Sequence, residues 1–447
     1  MLNRRDMLIA AAGGAVCASS RSSPISEWLL LYYMNGKNSL AQYELNDFME
    51  LSAVESTDQV IVAAEVGRPD SRDNPSYYDG WSGVKRYRVT KGTLPDIDHA
   101  LQHIGNARDP AADMGAPETL ETFVRWASST YPSKKKMLII CNHGQGWRHM
   151  SAPLKLRLAI ESPLLSAISK RLLVAQEKPR VVGGFRSVSY DDDHGSYLYN
   201  SQIQTVLERC SADGHRMDIV AFDACLMSMI ETAYALRKCA DFMVASQELE
   251  PGPGWDHTRL LRSLVANPTM SPEELSKLVV SAYGASYSTG SRTTMAASKV
   301  ADSTLISAKL SEASNLMLSK EGKAFSTLKS VRASLPGFAD DTPGLGQGVD
   351  AWTLFSRLAD RTGDPELRAS FKAVAEATSS AVVASYASAD LKKYGAQGLA
   401  LYFPRDKKEF QADPYHGAYL PSNTDHPVQF VQDCKWSTLL TRYYGLG

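Results

Sequence analysis

Residues 137–144 read MLIICNHG and residues 218–225 read DIVAFDAC. Each is a short apolar run that stops abruptly at small or polar residues, the form of a strand buried on both faces. In an open parallel sheet the carboxyl ends of neighbouring strands face one crevice. His143 and Cys225, 82 positions apart, can therefore meet at such an edge.

The alternation of strand-like and helical patterns continues on both sides. Upstream, Trp28–Tyr33 (WLLLYY) and 60–66 are further buried strands, and 84–89 (VKRYRV) alternates like a half-exposed one. Asn38 and Ser39 can cap a helix carrying Leu45, Phe48, Met49 and Leu51. Pro117 can open another, with Leu120, Phe123, Val124 and Ala127 on one face. Downstream, Ile203, Val206 and Leu207 mark a helix, Met229–Tyr234 another, and 242–245 a strand. The class is α/β with a mostly parallel central sheet. After a loop at Gln247–His257 helices dominate, at about 271–288, 302–319, 350–362 and 366–390, with strand candidates at 293–300 and 398–403. A core domain over 27–300 and a helix-rich C-terminal region over 301–447 are expected, the latter either a subdomain or the completion of the same sheet. Segment 148–188 fits neither pattern and reads as an insertion; it carries Lys155, Arg157, Lys170, Arg171, Lys178, Arg180 and Arg186.

The N-terminus reads MLNRRDMLIAAAGGAVCASS. A twin Arg4-Arg5 precedes apolar or small residues from Met7 to Ala18, too few to cross a hydrocarbon core of about 30 Å. Residues 1–22 are therefore expected to be an export signal of the twin-arginine type. Cleavage after Ala18 would take the formal charge from −1 to −2, and the reading of Cys17 as a lipid-bearing residue is the weaker one. The expected location is periplasmic or extracellular, with no integral membrane segment after signal removal. Near-neutral charge, 48 Lys plus Arg against 49 Asp plus Glu, gives no basic field for nucleic acid. Six cysteines in 447 residues exclude a disulfide scaffold. Five remain after signal removal, so at least one thiol is left without an intramolecular partner.

G-x-S-x-G, H-E-x-x-H, C-x-x-C and the Walker loop are all absent. The glycines of 344–348 (GLGQG) follow no strand and read as a loop. Among the cysteines only Cys225 leaves a strand and, in this reading, enters a helix whose first-turn amides would favour a thiolate. Among the His-Gly pairs only His143 ends a strand; His194 and His416 lie in turn-like contexts. A small buried thiol and a hydrogen-bonded structural imidazole stay open beside a nucleophile and base.

At these residues the chain resembles the clostripain family of cysteine peptidases (peptidase family C11, of the caspase-like clan). The similar stretches are WLLLYYMNGKNSL, NHGQGW, YDDD, FDACLMSMIETAY, ASQE with PGPGW, and GLALYFP. The resemblance implies a caspase-like α/β/α sandwich and an exported endopeptidase cleaving after Arg or Lys. Cys225 would be the nucleophile, His143 its base and acid, and the amides of Gly144 and Cys225 the oxyanion donors. Asp223 would lie in the pocket for the residue before the scissile bond. Asp256 is the candidate second acid, with Glu248 behind it, against the plain reading of each as a loop acid. Protein or peptide substrates with basic residues are the implied partners. No cofactor is required on this reading. Asp191–Asp193 could suggest Ca²⁺, to which some relatives respond, but a structural turn is preferred. The insertion could be an activation segment or a tolerated surface loop. Two other classes compete: a caspase-like binding or scaffold protein without turnover, and an amidase or transpeptidase using the same dyad.

Overall fold

A computed structural model of the chain describes residues 25–71, 74–105, 111–148, 188–287, 291–342, 345–425 and 427–446. The expected signal at 1–22 and nearly all of the insertion lie outside these residues.

The strands are β1 (Ser26–Asn35), β2 (Val60–Arg68), β3 (Gly83–Val89), β4 (Gln102–Ile104), β5 (Ser133–Cys141), β6 (Val188–Asp191), β7 (Ser196–Leu198), β8 (Ile219–Asp223), β9 (Phe242–Ala245), β10 (Thr294–Lys299), β11 (Gly348–Asp350), β12 (Val382–Ala387) and β13 (Ala400–Tyr402). Nine of them form one sheet in the order β12-β10-β9-β8-β5-β1-β2-β3-β4. Its centre, β2-β1-β5-β8-β9, is parallel, and both margins are antiparallel. Pleating sends Leu29, Leu31 and Tyr33 into one apolar cluster and Trp28, Leu30, Tyr32 and Met34 into the other, on the two faces of the sheet. Helices cover both clusters, which gives the α/β/α sandwich. Helix Pro117–Thr130 buries Leu120, Phe123, Val124 and Ala127 on one face, and helix Pro272–Ser286 buries Leu275, Val279 and Val280 on the other. Burial of one such Leu or Val side chain stabilises by roughly 1.5–3 kcal/mol.

Two sequence expectations change. The helical pattern at 366–390 holds only over Pro365–Ala381; residues 382–387 (VVASYA) form β12, antiparallel to β10. The alanine-rich run reads smoothly as helix, but β-branched Val382 and Val383 fall where β10 needs an outer partner. Strand 398–403 forms as Ala400–Tyr402, paired with β11 in a separate two-stranded sheet rather than in the main one. β12 thus brings part of the C-terminal region into the main sheet. No helix among the described residues is long and apolar enough to cross a membrane.

Candidate active site

β5 and β8 run parallel with Met137 opposite Ile219 and Cys141 opposite Asp223. His143 and Cys225 are each two residues beyond the last of these pairs, so they leave adjacent strands at the same level. β1 connects to β2 on one side and lies against β5 on the other, so the chain order reverses beside this edge, where open sheets place their ligand crevices.

The two strand ends are locked together. The Asn142 amide donates to Asp223 O at 3.2 Å, and the Asn142 side chain donates to Asn35 O and accepts from the Tyr190 amide at 2.8 Å. A Cβ on Gly144 would stand 2.5 Å from Cys225 O and 2.9 Å from Ala224 Cβ, so only glycine allows this approach. His143 is half-buried, its Nε2 3.2 Å from Ser39 Oγ and its ring edge-on to Tyr190 with centroids 5.6 Å apart.

Cys225 does not start a helix. Residues 224–228 form a turn, Leu226 adopts a left-handed φ of 60°, and the helix begins only at Ile230. Ala224 and Cys225 precede Leu226, Met227, Met229 and Ile230 there, so the apolar pattern alone suggests an earlier start. That strained backbone is held by Leu226 and Ser228 amides donating to Glu248 O and Ser246 O, at 3.2 and 2.8 Å. The donor to the thiol is the Glu250 amide, 3.2 Å from Sγ. Burial pushes the Cys225 thiol up to about 12; that amide opposes the rise, and the carboxyls of Glu250, Glu248 and Asp223 add to it. Burial thus works against the thiolate expected from a helix terminus. All five described cysteines are free; four are buried and Cys225 alone is half-buried.

Behind Cys225 lies a buried acidic recess. Gly254, at φ +58°, folds the PGPGW loop onto Asp223; a Cβ there would be 2.9 Å from both carboxylate oxygens. Asp223 Oδ2 accepts from the Trp255 amide at 3.3 Å and from His257 Nε2 at 3.1 Å, while Tyr32 Oη lies 3.2 Å from His257 Nδ1. His257 thus bridges Asp223 and the Tyr32 hydroxyl through its two ring nitrogens. Glu250 accepts from the Ala224 amide and from Trp255 Nε1, at 3.3 and 3.2 Å. From helix Ala41–Ser52 come Glu44 and Asp47, both buried, with Glu44 Oε2 lacking a hydrogen-bond partner. Burial, with the Asp223 charge second, holds the carboxyls of Glu44, Asp47 and Glu250 well above their ordinary range. Among the described residues no lysine or arginine pairs with any of these four acids.

The other expected acids sit elsewhere. Asp256 caps helix His257–Ala266, accepting from the Arg259 amide at 2.8 Å. Glu248 is buried against Arg292 and the amides of Leu249 and Ala339. Glu44, Asp47 and Glu250 are the recess residues that sequence reasoning missed; the signal available for Glu250 was its place between ASQE and PGPGW.

Two groups of side chains have donor atoms within 4.8 Å of one another, Asp47/Asp223/His257 and Asp113/Asp191/His194. In the first, His257 Nε2 lies 3.1 Å from Asp223 Oδ2. In the second, the Lys37 ammonium stands among the acids, 2.9 Å from Asp191 Oδ2. The second set, with the Lys37 ammonium among its acids, does not fit a divalent ion as arranged.

The clostripain family model matches residues 32–159 and 177–443. Clostripain of Hathewaya histolytica is 26% identical over 275 residues, 58% of this chain and 46% of that protein. The chain thus spans under half the length of this curated relative. Among solved structures, a secreted C11 cysteine protease from Bacteroides thetaiotaomicron in complex with an irreversible peptide inhibitor is similar with a TM-score of 0.58 at 18% identity, over 92% of this chain and 99% of that one. An inactive zymogen C11 protease from Parabacteroides distasonis gives 0.56 at 17%, over 85% and 93%. These two likenesses are of fold: a caspase-like sandwich. With the family match running through both strand ends and most of the described residues, the chain belongs to the clostripain family.

Proposed function

We propose that the protein is an exported cysteine endopeptidase that cleaves after Arg or Lys. The observation that carries this reading is the half-buried thiol of Cys225 beside a recess of three buried carboxyls, Glu44, Asp47 and Asp223, and the half-buried Glu250, with which no lysine or arginine among the described residues pairs. An Arg or Lys side chain supplies the missing charge, and a neutral side chain leaves it uncompensated. Asp223 and Glu250 are nearest the thiol loop and would make the direct contacts. Asp256 has a sufficient role as a helix cap, so its part in specificity is not carried forward.

On this reading His143 takes the Sγ proton as sulfur bonds the scissile carbonyl carbon. The oxyanion is held by the amides of Cys225 and Gly144. His143 then gives the proton to the leaving amine as the C–N bond breaks, and water hydrolyses the thioester. The upward push of burial on the thiol favours proton transfer that accompanies attack. Export is supported by Arg4-Arg5 and the short apolar stretch after it. A panel of fluorogenic peptides with Arg, Lys, Asp, Asn or norleucine before the cleaved bond tests the reading. Turnover confined to Arg and Lys, and lost in Cys225→Ala, is expected; no turnover by folded, processed protein would leave a scaffold, and turnover of other residues an amidase.

A further inference from the structure

Lys37 is fully buried, an unusual state for an ammonium. Its stem crosses Gly67 of β2, where a Cβ would stand 2.9 Å from Lys37 Cγ. Its Nζ lies 2.9 Å from Asp191 Oδ2, 3.5 Å from Asp193 Oδ2, 3.1 Å from His194 Nδ1, and donates to Ala112 O at 2.7 Å. The acids are held in turn: Asp191 accepts from the amides of Met114 and His194, and Asp193 from that of Asp70 at 3.0 Å. Around this point the segment after β1 is stitched to the β6–β7 hairpin. The Asp192 amide donates to Lys37 O, and Asn38 Nδ2 to Tyr190 O, both at 2.8 Å. The neighbouring residue of the same hairpin, Tyr190, is the aromatic ring against His143.

We propose that Lys37 is a positioning residue whose ammonium serves as the resident cation of the Asp191–Asp193 hairpin and thereby fixes Tyr190 against His143. The place a divalent ion would take among these acids is filled by the chain itself, so the hairpin needs no Ca²⁺. An ammonium offers three donors to the carboxylates and the carbonyl around it, and it cannot leave on dilution or chelation. The consequence for His143 rests on the peptidase reading; the order of the hairpin does not, and the two fail separately.

The test uses the full chain, native and Lys37→Ala, with hydrogen exchange over 188–198, melting temperature and peptide turnover as readouts. For the native protein, CaCl₂ and EDTA leave all three unchanged. In K37A, exchange over 188–198 rises and kcat falls about tenfold or more at unchanged KM, as for a displaced rather than missing group. Ethylammonium chloride, which fits the vacated volume, restores part of both, and choline chloride at equal ionic strength does not. Should K37A fail to fold, Lys37→Met with Asp191→Asn keeps the stem and removes both charges, and the same rise in exchange is expected without rescue. Native exchange over 188–198 in the folded variant, or a native protein that CaCl₂ stabilises and EDTA inactivates, overturns the proposal.

Discussion

The backbone amide of Glu250 donates to Cys225 Sγ at 3.2 Å, and the side chain of the same residue accepts from the Ala224 amide and from Trp255 Nε1. One residue thus ties the thiol, the turn that presents it and the loop that closes the acidic recess.

The thiol's protonation state follows from this environment. With burial raising its pKa to about 12, the thiolate fraction at neutral pH is small. Labelling of Cys225 by iodoacetamide, followed by mass spectrometry, is expected to rise about tenfold per pH unit from neutral pH upward, without a plateau below about pH 10. A plateau already at pH 7 would mean a standing thiolate–imidazolium pair.

Asp223→Asn and Glu250→Gln each remove an ionisable carboxyl from the recess while keeping its shape. A hydrogen bond to a charged group contributes about 1.5–3 kcal/mol, so kcat/KM for arginine peptides should fall roughly 10- to 100-fold. Norleucine peptides should be affected far less. Equal losses on both substrates would assign these carboxyls to folding instead of recognition.

Glu44 stores a pH-dependent cost. Its folded-state pKa lies above the unfolded value, because burial and then the Asp223 charge disfavour its ionised form. The unfolded chain therefore ionises first, and stability falls as pH rises from the unfolded value of about 4.5 through the folded one. Glu44→Gln removes this penalty: at about pH 8 its Tm should exceed the native value by roughly 2 °C or more, with the two converging below about pH 4.5. Thermal melts across that range check the sign, and a variant less stable at pH 8 refutes it.

Gly144→Ala tests the close approach of the two loops. The added methyl must push either His143 or the Cys225 backbone away, and displacement near 1 Å can cost about 100-fold in rate. Unchanged kcat in a folded variant would show that the loops have room to spare.

The two strand ends were legible because an apolar run cut off by Asn-His-Gly or Asp-Ala-Cys marks where a strand leaves the core, whichever role its side chains have. The recess was not. On helix Ala41–Ser52, Leu45, Phe48 and Leu51 mark a core face, and nothing local singles out Glu44 and Asp47 on the side of the helix that Phe48 and Leu51 share with them. They are buried because loop 251–257 folds over that side, a contact more than 200 residues away in sequence. Lys37 was hidden for a similar reason, since its partners Asp191 and Asp193 lie across the insertion. β12 was lost within a continuous helical pattern, and only its pairing with β10 reveals it.

The central claim is that Cys225 attacks a carbonyl whose neighbouring basic side chain sits in the Glu44/Asp47/Asp223/Glu250 recess. The most direct measurement is peptide mapping by mass spectrometry after treatment with paired peptidyl acyloxymethyl ketones ending in arginine or norleucine. The account predicts one adduct, on Cys225, formed much faster with the arginine compound and suppressed in both His143→Ala and Asp223→Asn. An adduct on Cys141, Cys210, Cys239 or Cys434, or equal rates for the two compounds on Cys225, would contradict it.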